Sequence, residues 1–299
     1  MQIQFFKTLW GHTGSFEDAV AQAIEHNFSG IEAPLPVSTG VPILVGEQLA
    51  HRAQLLALHK LDWILEVCTA GSYVPDRRAS VEQHLQDLKH QLVAALPYKP
   101  KFVNVLGGCD AWSQEQSYRF FSQALEFSAA FGITLSFETH RGRSFFNPWT
   151  TLALIEKLPA LKLTCDFSHW CVVCERLIDT EIDILKRIAV QAHHIHGRVG
   201  YDQGPQVPHP AAPEYAEALL AHRSWWELIW ASQIKPGYAV TTMTPEFGPD
   251  GYLHQLPFSK QPVAELWQIN TWMAQTELAH FNRFKSNHLS ESKLTAPAS

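Results

Sequence analysis

Strand-like segments recur about every thirty residues along this chain, and a helical stretch follows each one. Parallel strands need crossover connections, and helices are the usual crossovers, so the repeat points to a parallel sheet wrapped by helices. The first strand is Ile3–Leu9, and Ser15 or Glu17 opens a helix through His26 with Ala19, Val20, Ala23 and Ile24 on one face. Gly30–Ala33 is a short strand stopped by Pro34 and Pro36. Helix Gln48–Lys60, strand Asp62–Cys68, helix Ser80–Ala95 and strand Phe102–Leu106 follow, then helix Glu115–Phe131 with Gly132 as its capping glycine. The second half alternates in the same way. Its strands are Ile133–Glu138, Leu161–Phe167, Ala192–Val199 and Tyr238–Thr244; its helices are Thr150–Leu158, Ile182–Ala189, Tyr215–Ser232 and Val263–Phe284.

Eight strands and eight helices over roughly 285 residues are the pattern of a single-domain α/β protein, a (β/α)8 TIM barrel. An open doubly wound sheet would carry a Gly-rich phosphate turn after the first strand, and LWGHTGS matches that turn poorly. The barrel is expected over 1–285. The polar remainder, 286–299 (SNHLSESKLTAPAS), is expected to be disordered.

A TIM barrel places its chemistry on inward-pointing residues at the C-terminal strand ends. Period-two alternation puts Ser136 and Glu138 on one face of the fifth strand, and Thr164 and Asp166 on one face of the sixth. The seventh presents His194, His196 and Arg198 together, and the eighth Thr242, Thr244 and Glu246. Four consecutive strands thus deliver Glu, Asp, His and Glu to one rim. Any one of them alone would read as a helix cap, a rim ion pair or a core histidine. Three carboxylates in one place repel each other and resist ionisation, and a divalent cation relieves this. Carboxylates with imidazole suit Mn2+, Mg2+, Co2+ or Zn2+.

Composition narrows the partners. A net charge of -6 argues against a nucleic-acid surface, and no apolar run reaches the roughly 18–20 residues of a membrane helix. The start MQIQFFKTLWGH lacks the basic region and cleavage site of a signal peptide, so the expected location is the cytoplasm. Five cysteines, an odd number without framework spacing, fit a reducing compartment. Cys171 and Cys174 have neither a thioredoxin-like context nor a second pair, and read as packing residues.

The GIE of Gly30–Glu32, Glu138, the D-x-x-H of Asp166 and His169, the HIH of the seventh strand and Glu246 together resemble the xylose isomerase-like superfamily of sugar isomerases and epimerases. The resemblance spans nearly the whole chain. It includes ketose 3-epimerases, hydroxypyruvate isomerases, inosose and 3-dehydroshikimate dehydratases, and more distantly endonuclease IV. It implies metal ligands Glu138, Asp166, His196 and Glu246, with His194 the other choice for the imidazole. It implies proton abstraction next to a carbonyl of a small carbohydrate through a metal-stabilised enediolate, Glu138 and Glu246 acting as base and acid and His169 orienting a substrate oxygen. His194 and Trp112 are expected at the substrate, and Trp10, Trp112 and Phe247 could form an apolar wall or simply pack.

Two departures from the epimerases bear on substrate. The acidic residue expected shortly after the fifth-strand Glu is absent from THRGRSFFNPW, and Arg198 follows His196 by two residues where the family spacing is six. His140, Arg141, Arg143 and Arg198 make a basic rim, which favours an acidic or phosphorylated sugar unless Arg141 and Arg143 pair with rim carboxylates. His140, two residues beyond Glu138, keeps a metal-dependent dehydratase open, in which a histidine helps expel a hydroxyl. A non-catalytic metal-binding barrel is the alternative outside enzymology. An endonuclease IV-like reading needs a richer ligand set and a basic face for DNA. Trp225, Trp226 and Trp230 on one helix are candidates for a homodimer interface or for the core.

Overall fold

The computed structural model describes residues 1–35, 42–249 and 251–294. Eight parallel strands close into a barrel in chain order: β1 (Gln2–Thr8), β2 (Gly30–Pro34), β3 (Asp62–Cys68), β4 (Phe102–Leu106), β5 (Leu135–Glu138), β6 (Leu163–Cys165), β7 (Ala192–His196) and β8 (Val240–Thr244), which pairs back onto β1. Nine α-helices among the described residues surround it: α1 (Phe16–Glu25), α2 (Pro42–Leu58), α3 (Val81–Ala95), α4 (Gln114–Phe131), α5 (Pro148–Lys157), α6 (Ser168–Cys174), α7 (Ile182–Ala189), α8 (Ala216–Ile234) and α9 (Leu266–Leu294). This is the expected (β/α)8 barrel.

Local chemistry sets the helix starts. Ser15, Ser80 and Ser113 each accept from the backbone of the third helical residue, and Asp18, Gln83 and Gln116 bond back to the cap. Gly132 ends α4 in the left-handed region, at φ 63°. Three features depart from the sequence reading, the first being that α2 begins at Pro42, six residues ahead of the expected Gln48. The seven-residue α6, directly after β6, is too short to show a helical period. The last helix does not stop at Phe284 but continues to Leu294, because no glycine or proline occurs between 285 and 294 to break it. Pro36, expected to stop the second strand, and residues 295–299 of the expected tail lie outside the described residues.

Outward strand residues such as Ile31, Leu65, Val103, Phe137, Ile195 and Met243 pack under the helices in one continuous core. Trp225, Trp226 and Trp230 belong to that core and are fully buried, so they offer no interface; Ala218, Leu219, His222 and Ile229 complete their stripe on α8. Inside the barrel, Phe6, Ile64 and Phe102 form a separate apolar cluster. Gly30 makes room for it, since a Cβ there would lie 2.7 Å from the Phe6 ring and 2.1 Å from the Asp62 carbonyl oxygen. The Phe6 and Phe102 rings sit against His194, with centroids 6.3 and 5.3 Å away. Above this floor the interior turns polar.

Candidate metal centre

Strand register stacks the polar interior in layers. Glu138 pairs with Thr164, Thr164 with His194, and His196 with Thr244. In the lower layer Glu32 of β2 bridges two histidines of β7. Its Oε1 lies 3.0 Å from His196 Nε2 and its Oε2 3.1 Å from His194 Nε2, and Thr244 Oγ1 also donates to it. His194 Nδ1 lies 2.8 Å from Thr242 Oγ1. Glu32 is buried, which disfavours its charge, yet His196 and His194 outweigh burial and hold its pKa below the usual carboxylate value.

One layer higher, one ligand atom from each of Glu138, Asp166, His196 and Glu246 lies within 4.8 Å of every other. A carboxylate only accepts, so His196 Nε2 carries the proton shared with Glu32. His196 Nδ1 therefore faces the rim, 3.0 Å from Glu246 Oε2 and 3.8 Å from Glu138 Oε1, but off any hydrogen-bond direction. Burial opposes charge on His196, and Glu246, Glu32 and Glu138 overcome it, holding the imidazole well above its ordinary pKa. The arrangement selects for a cation beside these carboxylates. A fixed Nε2–H with an unpartnered Nδ1 is also how a histidine ligand is oriented by a neighbouring carboxylate. The donor set fits a divalent ion.

Asp166 and Glu138 are braced from behind. Asn104 Nδ2 donates to Glu138 Oε2 at 3.0 Å. Asp166 Oδ1 accepts from the Ser168 backbone N–H at 3.0 Å, at the start of α6, and Oδ2 accepts from Arg198 Nη2. Burial, with Glu246 and Glu138 close by, still lifts Asp166 to about 6 against the pull of Arg198. Arg198 packs between Trp10 and Tyr252, 5.3 and 4.9 Å from the ring centres.

A cavity of about 770 Å³ opens over this layer, lined by Glu66, Glu138, Glu246, His140, Arg198 and Trp10 among others. It is of a size for a small substrate. Glu66 and Asn104 carried no sequence assignment. Both were visible only as the inward phase of β3 and β4, opposite one another in register. Burial and the charges of Glu246, Glu32 and Glu138 push Glu66 well above the usual carboxylate range.

Three of the side chains expected at the substrate are committed elsewhere. Arg143 is buried and donates to the carbonyl oxygens of Thr69, Gly108, Ser72 and Tyr73, tying together the loops after β3 and β4; it meets no rim carboxylate. His194 sits beneath the rim on Glu32. Trp112 packs edge-on against His84 and Phe120, away from the cavity lining. His169 is fully buried behind the cavity wall. Arg198 Nη2 donates to its Nε2 at 2.7 Å, which leaves the proton on an unpartnered Nδ1. His140 packs against His169 with ring centres 3.9 Å apart and planes tilted by 51°, and its pKa is pulled down to about 3, chiefly by burial. Arg198 is thus ion-paired with Asp166, Arg143 stays charged but is engaged by carbonyls away from the cavity lining, and burial holds His140 neutral. Arg141 lies over the Tyr252 ring at 5.1 Å. Of the four basic residues expected at the rim, Arg198 and His140 line the cavity.

No protein-family model and no curated protein matches the sequence. Solved structures do match along nearly the full length. The probable 3-DHS dehydratase of Bacillus anthracis is 16% identical over 92% of this chain and 98% of its own, with a TM-score of 0.60. A xylose isomerase-like TIM barrel protein from Mycobacterium smegmatis, crystallised with magnesium, is 12% identical over 93% and 97%, at 0.57. The chain has the xylose isomerase-like barrel fold. An AP endonuclease of family 2 from Brucella melitensis shares it at 14% identity over 91% and 98%, TM-score 0.54. Within this barrel all five cysteines are free, Cys171 being buried 4.0 Å from His222 Nε2. Among the described residues no helix is long and apolar enough to cross a membrane.

Proposed function

We propose that this chain is a divalent-metal-dependent sugar isomerase or epimerase acting by proton transfer next to a carbonyl, and that its substrate is a neutral sugar. The observation that carries the reading is the convergence of Glu138, Asp166, His196 and Glu246 under a cavity that also exposes Glu138 and Glu246. A divalent ion held by these four supplies Lewis acidity toward substrate oxygens. Glu138 and Glu246 come from β5 and from the loop after β8, so they reach a bound sugar carbon from different sides and are the pair to take and return its proton. Asn104 fixes Glu138, and Glu32 fixes His196. His169 acts as a positioning residue, holding Arg198 and packing His140, rather than as a direct substrate contact. Glu138 and Glu246 in the lining suit sugar hydroxyls better than carboxylate or phosphate groups, and Glu66, held protonated by burial and by its acidic neighbours, adds a hydroxyl-like donor rather than a charge.

One observation favours a dehydratase as the second reading. His140 lines the cavity two residues beyond Glu138, where a departing hydroxyl could meet it. Incubation of the metal-loaded protein with ketoses and inososes in D2O separates the two. Deuterium entering next to the carbonyl without change of formula supports isomerisation or epimerisation. A product lighter by one water replaces it with the dehydratase, and neither change in any neutral sugar removes the proposal.

A further inference from the structure

A second cavity, of about 690 Å³, lies outside the barrel wall between α1 and the start of α9. Lys7 of β1 is part of its lining, because alternation along β1 turns Phe6 inward and Lys7 toward the helices. The side chain is only 4% exposed, and Nζ sits 3.8 Å from the centre of the Trp267 ring. That ring is the contact recorded for Nζ among the described residues. Among the described residues no carboxylate forms an ion pair with Nζ, although Glu265 lies near enough to act on its charge, and lysines are rarely this buried without a paired partner. Asp18, Glu25 and Glu265 also line the cavity, and Trp10 and Gly11 line both this cavity and the one over the metal centre.

We propose that Lys7 is a carbonyl-capturing amine, and that this cavity admits a small neutral hydroxyaldehyde, such as a short sugar in its open-chain form, which Lys7 binds as an imine. The Nζ lone pair forms the new C–N bond, the carbonyl oxygen gains two protons and leaves as water, and no oxidant or reductant takes part. Burial draws the Lys7 pKa down to about 8, with Glu265 pulling the other way. Near pH 7.5 such an amine is unprotonated roughly two hundred times as often as an ordinary lysine. The acidic lining disfavours an aldehyde that carries a negative charge.

The test is reductive trapping on the intact protein. The chain is incubated at pH 7.5 with glycolaldehyde and cyanoborohydride, and adducts are followed by peptide mass mapping. Lys7 is expected to label at least about ten-fold faster than the exposed Lys60, Lys99 and Lys235. That advantage should vanish in urea, and glyoxylate should label Lys7 more slowly than glycolaldehyde does. Labelling of Lys7 no faster than the exposed lysines overturns the proposal, as does selectivity that persists in the unfolded chain. Faster labelling by glyoxylate overturns the assignment to neutral aldehydes.

Discussion

Glu32 of β2 reaches across the barrel to His196 of β7, Oε1 lying 3.0 Å from Nε2, and so sets which nitrogen of that imidazole faces the rim. Glu32→Gln keeps the shape but lets the ring take the other tautomer. Affinity for a divalent ion, measured by calorimetry, should fall by about 10–100-fold with the fold intact. An unchanged affinity would mean that His196 needs no such support.

Glu246→Gln removes one of four candidate ligands and one of the two proposed proton-transfer groups. Activity should fall by at least about 10²-fold even at saturating metal. Chelation of the native protein should abolish activity, and re-addition of Mn2+, Mg2+, Co2+ or Zn2+ should restore it and raise the melting temperature. If chelation leaves turnover untouched, the four-residue cluster is not a working metal site.

Arg143 serves stability rather than binding. Its guanidinium meets the carbonyl oxygens of Thr69, Ser72 and Tyr73 in the loop after β3 and of Gly108 in the loop after β4, and each loses its donor on truncation. Arg143→Ala should cost on the order of 3 kcal/mol in chemical denaturation. Arg143→Lys, with a single cationic point in place of a fork, should recover little of it. A variant that melts like the native protein but loses substrate affinity would reverse this assignment.

His222 predicts an acid limit. Its Nδ1 donates to the Ala218 carbonyl at 2.9 Å and its Nε2 accepts from the Gly200 N–H at 3.2 Å, so protonation of Nε2 breaks the second bond. Burial draws its pKa down from 6.5 to about 4. Between these values the unfolded chain binds more protons than the folded one, so stability is full above about pH 6.5 and is lost as pH falls toward 4. The contribution is on the order of 3 kcal/mol. Melting temperature against pH should flatten in this window for His222→Gln, and an equally steep profile would remove His222 from the account.

The barrel and the convergence of four candidate ligands were legible for one reason: both are written in short-range periodicity. The phase of Glu138 and His196 at the ends of β5 and β7, carried on to Asp166 and Glu246 just past the ends of β6 and β8, brings the four to one rim of the closed barrel. What lies across the barrel or behind the rim left no such trace. Glu32 meets His196 only because β2 and β7 face each other. Arg143, read as a substrate-binding cation of a basic rim or as the partner of a rim carboxylate, is claimed by carbonyls from a segment about seventy residues earlier, a distance at which sequence pattern carries no information. Trp225, Trp226 and Trp230 sit at helical spacing, which marks a buried face, but spacing alone does not say whether the covering surface belongs to this chain or to another. The short α6 escaped because two turns are less than a period analysis can resolve.

The aromatic floor of Phe6 and Phe102 turns the barrel into a cup instead of a tube. Whatever enters the 770 Å³ space must leave by the way it came. A released molecule and the next arrival therefore contend for one doorway, so accumulated product should slow turnover by plain competition.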